Sequence, residues 1–263
     1  HSRKILESDP GCKLIAVDWD KKSLDQNSQD LLEEFPDRFR TVWGNFAFLE
    51  KVLKKLGVKS VSGGILADFG TSQTQLLHGT GFSFLKDTFL DMRMSPAHQK
   101  ITACDIVNNY PEAELVKLFF ELGEERASRK IAKAIAEERK KKIIKTTAHL
   151  VQVIENVIPS RGKIHPATKT FQALRMRVNN ELENIQSFLS SSLKLLEPGG
   201  RLVCITFHSL EDRAVKTYFR EHKEAIDSKE IDIITRKVVI ASPEELKLNP
   251  SARSAKLRAV EVI

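Results

Sequence analysis

Cysteine is scarce: Cys12, Cys104 and Cys204 are the only three in 263 residues, odd in number and far apart. That excludes a disulfide framework and a CxxC metal site, and it points to a reducing compartment. No apolar run approaches the roughly 20 residues that a membrane-spanning helix requires. The opening His1, Ser2, Arg3 and Lys4 lead into a short amphipathic stretch and not a secretory signal. A soluble protein without a membrane partner is therefore expected. The seven histidines show neither HExxH nor paired-ligand spacing, so no metal is expected. A G-x-S-x-G elbow is lacking, which disfavours a serine hydrolase. Internal repeats and low-complexity tracts are lacking too.

What is present suffices for a full core: 41% of residues are hydrophobic and 29% charged, enough for one large domain or one domain carrying an insertion. Lys and Arg outnumber Asp and Glu by 42 to 35, a formal charge of +7 that favours a polyanionic partner without specifying one.

Apolar runs that do not alternate in polarity, set between helical patterns, read as buried parallel strands. They are Lys13 to Val17 ending in Asp18, Arg38 to Trp43 ending in Gly44, Gly64 to Ala67 ending in Asp68, and Arg201 to Phe207 ending in His208. Helical patterns over Lys21 to Phe35 and Phe46 to Leu56 separate the first three. This alternation predicts a doubly wound α/β sheet, whose ligands sit beyond the carboxyl ends of the strands, where Asp18, Asp68 and His208 would lie. From about Ser95 to Lys163 helical patterns dominate, which predicts an inserted all-helical subdomain and a division into residues 1–94, 95–164 and 165–263. A long helix over Ala167 to Leu196 then leads through Glu197, Pro198, Gly199 and Gly200 back into the α/β part. The β-rich runs Ile231 to Ala241 and Lys256 to Ile263 are expected to close the sheet.

In dinucleotide-type folds a glycine-rich turn follows the first strand, and an acid ends the second about 20 residues later. With Asp18 as that acid, the glycine loop falls immediately before His1, so the first strand and most of the loop are expected to be missing. A chain starting at His1 should then bind its cofactor poorly. A carboxylate at Asp18 suits the hydroxyls of a ribose, and the same residue reads equally as a strand-end turn. Asp68, followed by Phe69, Gly70, Thr71 and Ser72, reads either as a ligand-facing acid or as the start of an Asx-turn.

Five segments resemble the cytosine N4-methyltransferases of small-subunit ribosomal RNA, the MraW or RsmH family. They are GILADFGTSQTQL at Gly64 to Leu76, GFSF at Gly81 to Phe84 with LDMRM at Leu90 to Met94, GEERASRKIAKAI at Gly123 to Ile135, HPATKTFQALRMRVNNEL at His165 to Leu182, and PGGRLVCITFHSLEDRAVK at Pro198 to Lys216. Lesser echoes are HSR at His1, VDWD at Val17, GNF at Gly44 and NPSARSAKLR at Asn249 to Arg258. The chain departs where Thr71, Ser72, Gln73, Thr74 and Gln75 replace a Val-Ser-Ser-Pro-Gln stretch of relatives.

The resemblance implies a class I (Rossmann-like) methyltransferase sheet with a helical insertion, S-adenosyl-L-methionine as donor, and 16S-type rRNA of the small ribosomal subunit as substrate. It implies cofactor contacts at His1, Asp18, Phe46, Asp68 and Gln75, with Asp18 on the ribose, Phe46 on the adenine face, and Asp68 and Gln75 near the amino-acid end or the reacting centre. Without it, Phe46 would read as core packing. It also implies a bacterial cytoplasm or an organelle of bacterial ancestry.

The exocyclic amine of cytosine is a poor nucleophile, so an acceptor for its proton helps the attack, and Asp68 or Asp91 is the candidate. None of the cysteines stands in a Pro-Cys motif, consistent with methylation at nitrogen. In the inserted segment Ala127, Ile131, Ala134 and Ile135 recur at helical spacing, opposite Arg126, Arg129, Lys130 and Lys133. The run Arg139, Lys140, Lys141, Lys142 follows, then Lys145, and Lys169 lies farther on. A solvated helix face explains such charges by default, and a polyanionic substrate turns them into phosphate contacts. Ser209, with Asp212 three residues on, resembles a helix capping box, while the role of His208 stays open. The rivals are a Rossmann dehydrogenase, which also carries an acid after its second strand, and an RNA-binding or ribosome-assembly protein without catalysis.

Overall fold

Residues 1–72, 75, 79–159, 165–224 and 231–263 are described by a computed structural model. In it the chain divides into two units, His1–Gly70 with Leu182–Ile263, and Thr71–Glu181. In the first, helix α1 (Ser2–Ser8) buries Leu6 against Leu31 and Phe39. Strand β1 (Leu14–Asp18) runs parallel to β2 (Phe39–Trp43), with Leu14 opposite Phe39 and Asp18 opposite Trp43. Between them lies α2 (Lys21–Glu34), started by the Asp20 carboxylate, which accepts the Ser23 N–H and so satisfies one of the donors a helix start leaves over. The helix expected over Phe46 to Leu56 is two pieces: a 3-10 turn, Phe46–Phe48, whose Ala47 N–H is taken by the Asn45 side chain, and α3 (Leu49–Lys55). β3 (Gly64–Asp68) follows.

Among the described residues of the second unit, five helices pack around one apolar cluster: α4 (Ala103–Asn109), α5 (Glu112–Glu121), α6 (Ser128–Lys141), α7 (Thr147–Glu155) and α8 (Thr168–Asn179). Among its described residues there is no strand, only an isolated bridge between Phe89 and Thr146. The unit starts earlier and ends later than residues 95–164. Leu90 and Met92 are wholly buried in its core beside Ile106 and Leu115, and α8 adds Phe171, Leu174 and Val178. Burying that apolar surface draws both flanks into the unit.

The long helix expected from Ala167 to Leu196 is broken. Asn180 adopts the left-handed conformation (φ 48, ψ 45) that ends α8, and α9 (Glu181–Leu195) begins after it. The break follows from Asn179, whose buried amide accepts from Met94 N–H and donates to the carbonyls of Met92 and Arg175. Back in the first unit come β4 (Arg201–Thr206), α10 (Ser209–Glu224), β5 (Ile231–Ile233), β6 (Val239–Ile240), α11 (Pro243–Leu248) and β7 (Lys256–Val262).

The expected single sheet is two. β1 and β2 form one, and β3-β4-β7-β5, with β6 also on β7, form the other. β3 and β4 are parallel, from Gly64 opposite Arg201 to Asp68 opposite Ile205, and β7 is antiparallel to β4. Ile15 and Val17 of β1 and Ile65 of β3 pack on the same core as Leu189, Leu202, Cys204 and Val260. The sheets thus share a core without a hydrogen-bonded ladder between β1 and β3. Among the described residues no helix is long and apolar enough to cross a membrane.

Candidate active site

In the first unit each strand-end acid closes a parallel pair, Asp18 at the end of β1 and Asp68 at the end of β3. Asp18 ends β1 opposite Trp43, and the Gly44 N–H donates to the Asp18 carbonyl at 2.9 Å. Three residues beyond Trp43, the half-buried Phe46 ring lies 5.7 Å from Phe69, the neighbour of Asp68, and 5.7 Å from Phe188 of α9. Aromatic contacts therefore join the carboxyl ends of β2 and β3. The core role of Phe46 is visible, and it does not depend on a ligand.

The Asp18 carboxylate accepts the Asp20 N–H at 2.8 Å, an Asx-turn. Burial pushes the Asp18 carboxyl above its ordinary value, and backbone N–H donors pull the other way. The Trp43 indole N–H donates to the Trp19 carbonyl at 2.9 Å, bracing the same turn from β2.

Asp68 keeps a side chain that is 46% exposed, with Oδ2 at 3.7 Å from His1 Nε2. Its carboxyl is also raised, first by burial and further by the charge of Glu211. Glu211, near the start of α10, is a further acid close to Asp68. Its carboxylate is wholly buried, accepts the N–H groups of Phe207 at 2.8 Å and His208 at 3.4 Å, and lies 3.2 Å from His208 Nε2. Gly70 lies beside it. At φ 96 a side chain would be strained, and a Cβ there would stand 3.8 Å from Glu211 Oε1.

The capping role expected of Ser209 and Asp212 falls one residue earlier. His208 Nδ1 accepts the Glu211 N–H at 3.4 Å, and Glu211 answers the His208 N–H. Asp212 turns instead to β7, where Arg258 donates to it at 2.7 Å and Lys256 lies at 3.5 Å. The signal for Glu211 was its spacing of three from His208; its burial was not legible.

The remaining expected residues belong to the second unit. Gln75 is buried, its Oε1 accepting the Ser72 N–H at 3.0 Å while its own N–H donates to Ser72 Oγ at 3.1 Å. Both oxygens of Asp91 are taken by Arg93, at 2.6 Å from Nε and 2.9 Å from Nη2. That turn requires Gly81, since at φ 86 a Cβ would stand 2.6 Å from the Asp91 nitrogen.

On α6 the buried face is Ser128, Ile131, Ala132, Ile135 and Ala136, with Ala127 and Ala134 partly buried beside it. Arg126, Arg129, Lys130, Lys133, Lys140, Lys141 and Lys142 are exposed, and Lys133 has Glu137 at 3.8 Å. Arg139 is different: it donates to the Val107 and Tyr110 carbonyls at 2.9 and 2.7 Å. Lys169 donates to the Glu124 carbonyl at 2.9 Å.

The residues at these strand ends fit S-adenosyl-L-methionine by their chemistry. An anchored acceptor at Asp18 suits ribose hydroxyls, an aromatic ring follows β2, and two acids, Asp68 and buried Glu211, suit a cationic sulfonium.

A sequence model described as the MraW methylase family matches residues 1–263. The chain is 46% identical to a ribosomal RNA small subunit methyltransferase H of Persephonella marina, over 100% of this chain and 89% of that protein. It is 47% identical to the protein of that name from Sulfurihydrogenibium sp. (98% and 87% covered), and 44% to that of Fusobacterium nucleatum (100% and 87%). The dehydrogenase alternative finds no support in them. From the strand-end acids to these matches, the conclusion is that the chain belongs to the MraW methylase family and is a methyltransferase that uses S-adenosyl-L-methionine.

Proposed function

We propose that this protein methylates the N4 amine of a cytidine in 16S-type rRNA of the small ribosomal subunit, in the bacterial cytoplasm. Among its relatives are proteins named ribosomal RNA small subunit methyltransferase H, and the observation that carries the reading is Asp68 at the end of β3, its carboxyl raised by burial and by Glu211. Bound S-adenosyl-L-methionine supplies an electrophilic methyl group on sulfur. Asp18 holds the ribose hydroxyls, Phe46 lies along the adenine, and Gln75 serves the amino-acid end, with His1 beside Asp68.

Asp68 receives the proton that the cytosine amine loses, because a raised carboxyl is the better proton acceptor. Asp91 serves through its pair with Arg93, which holds the turn after Gly81. Arg126, Arg129, Lys130, Lys133 and Lys140 to Lys142 meet RNA phosphates, with Lys169 at the edge of that surface. No covalent intermediate with the protein is needed; the residues hold donor and acceptor in contact. The target base must leave its stack, which costs a few kcal/mol in a duplex and less in a loop.

The test is nucleoside mass spectrometry of rRNA after incubating the full-length protein with labelled donor and undermethylated small subunits. Label in N4-methylcytidine is expected. Label in another nucleoside, or none, overturns the reading.

A further inference from the structure

The second unit runs from Thr71 to Glu181, and one guanidinium touches both of these residues. Arg175 donates from Nε and Nη2 to the two oxygens of Glu181 at 2.8 and 2.9 Å, and from Nη1 to Thr71 Oγ1 at 3.4 Å. The pair is well shielded, with side chains 17% and 7% exposed. Burying two charges costs desolvation that their attraction barely returns, so such a pair is a poor device for stability alone. Its planar fork is a good device for geometry, with two donors committed to a carboxylate and a third aimed elsewhere.

Thr71 follows β3 by way of Phe69 and Gly70. The next described residues, Ser72 and Gln75, close on each other through the reciprocal bonds at 3.0 and 3.1 Å. The backbone of Arg175 is held in turn, its carbonyl accepting from Asn179 Nδ2 at 2.7 Å.

We propose that Arg175 is a positioning residue for the methyl donor: by clipping Thr71 to Glu181 it fixes Ser72 and, through the reciprocal bonds between Ser72 and Gln75, the Gln75 side chain. This rests on the function proposed above, in which Gln75 serves the donor. Thr71→Val removes the hydroxyl at constant shape and leaves the Arg175–Glu181 pair in place. Arg175→Lys keeps the charge and loses the fork.

In the full-length protein, donor affinity by calorimetry and steady-state methyl transfer are measured well below each variant's melting temperature. Thr71→Val and Arg175→Lys should each raise the donor Kd and KM about 5- to 10-fold, the size of one ordinary hydrogen bond. RNA affinity and kcat at saturating donor should stay as in the parent, and Thr71→Ser should restore donor affinity. A purely structural clip would lower the melting temperature and leave Kd and KM alone, and that result overturns the proposal. So does a Thr71→Ser variant as impaired as Thr71→Val. If the parent protein itself transfers no methyl to rRNA, it is the function that fails; if it does and Thr71→Val matches it, only the clip fails.

Discussion

Burial raises the proton affinity of both strand-end carboxylates, Asp18 and Asp68, and for Asp68 the charge of Glu211 adds to it. An acid whose folded pKa exceeds its unfolded value, about 3.9 for Asp, makes the folded state bind more protons in the interval above that value. Stability contributed by the protonated form is present below it and lost as pH rises through the folded pKa. The gain in urea midpoint of Asp68→Asn over the parent should therefore be larger at pH 7 than at pH 4, and equal gains would refute the linkage. The same variant should transfer methyl about 10²- to 10⁴-fold more slowly at saturating donor, the usual span for losing a proton acceptor; undiminished turnover removes Asp68 from that role. Asp91→Asn differs in kind. It breaks a shielded bidentate pair with Arg93, so it should cost about 1–3 kcal/mol in denaturant titration while turnover per folded molecule stays near the parent's.

Helix α6 divides its cations between two tasks. The face of Arg129, Lys130 and Lys133 is open to solvent, as is the tail Lys140 to Lys142, whereas Arg139 caps carbonyls at the end of α4. Neutralising Lys140 to Lys142 together should weaken RNA binding and reduce the salt slope by roughly 0.7–0.9 for each phosphate that is no longer neutralised, with the melting temperature nearly unchanged. Arg139→Ala should do the reverse, costing about 1–3 kcal/mol with an unaltered salt slope. Equal effects from the two variants in a salt-dependent binding assay would show that no such division exists. The break between α8 and α9 has its own test. Asn179→Ala leaves the Met94 N–H and Met92 carbonyl without their partner, so about 3 kcal/mol should be lost by denaturant titration.

At the scale of the whole molecule, a ligand that binds only the folded state stabilises it by mass action, about 2.7 kcal/mol at a hundredfold excess over Kd. S-adenosyl-L-methionine should therefore raise the melting temperature of the full-length protein, and Asp18→Asn should shrink the rise at the same donor concentration; an equal rise in both would separate Asp18 from the donor. Much of this was legible in the chain. Strand ends at Asp18 and Asp68, the start of α2 near Lys21 and the helical character of residues 103–155 were expected and found, because apolar periodicity and capping are properties of near neighbours. Motif order carried the family without any knowledge of which residues touch. Other features depended on partners far along the chain: Asp91 closes on Arg93 within a turn that Asn179 supports, Arg139 caps carbonyls 29 and 32 residues away, and Arg175 reaches Thr71 across 104. The sequence alone determined the elements and the chemistry available at their ends. Only the tertiary structure decided which charges are buried and which are solvated, since desolvation and hydrogen bonding depend on what the fold packs around a group.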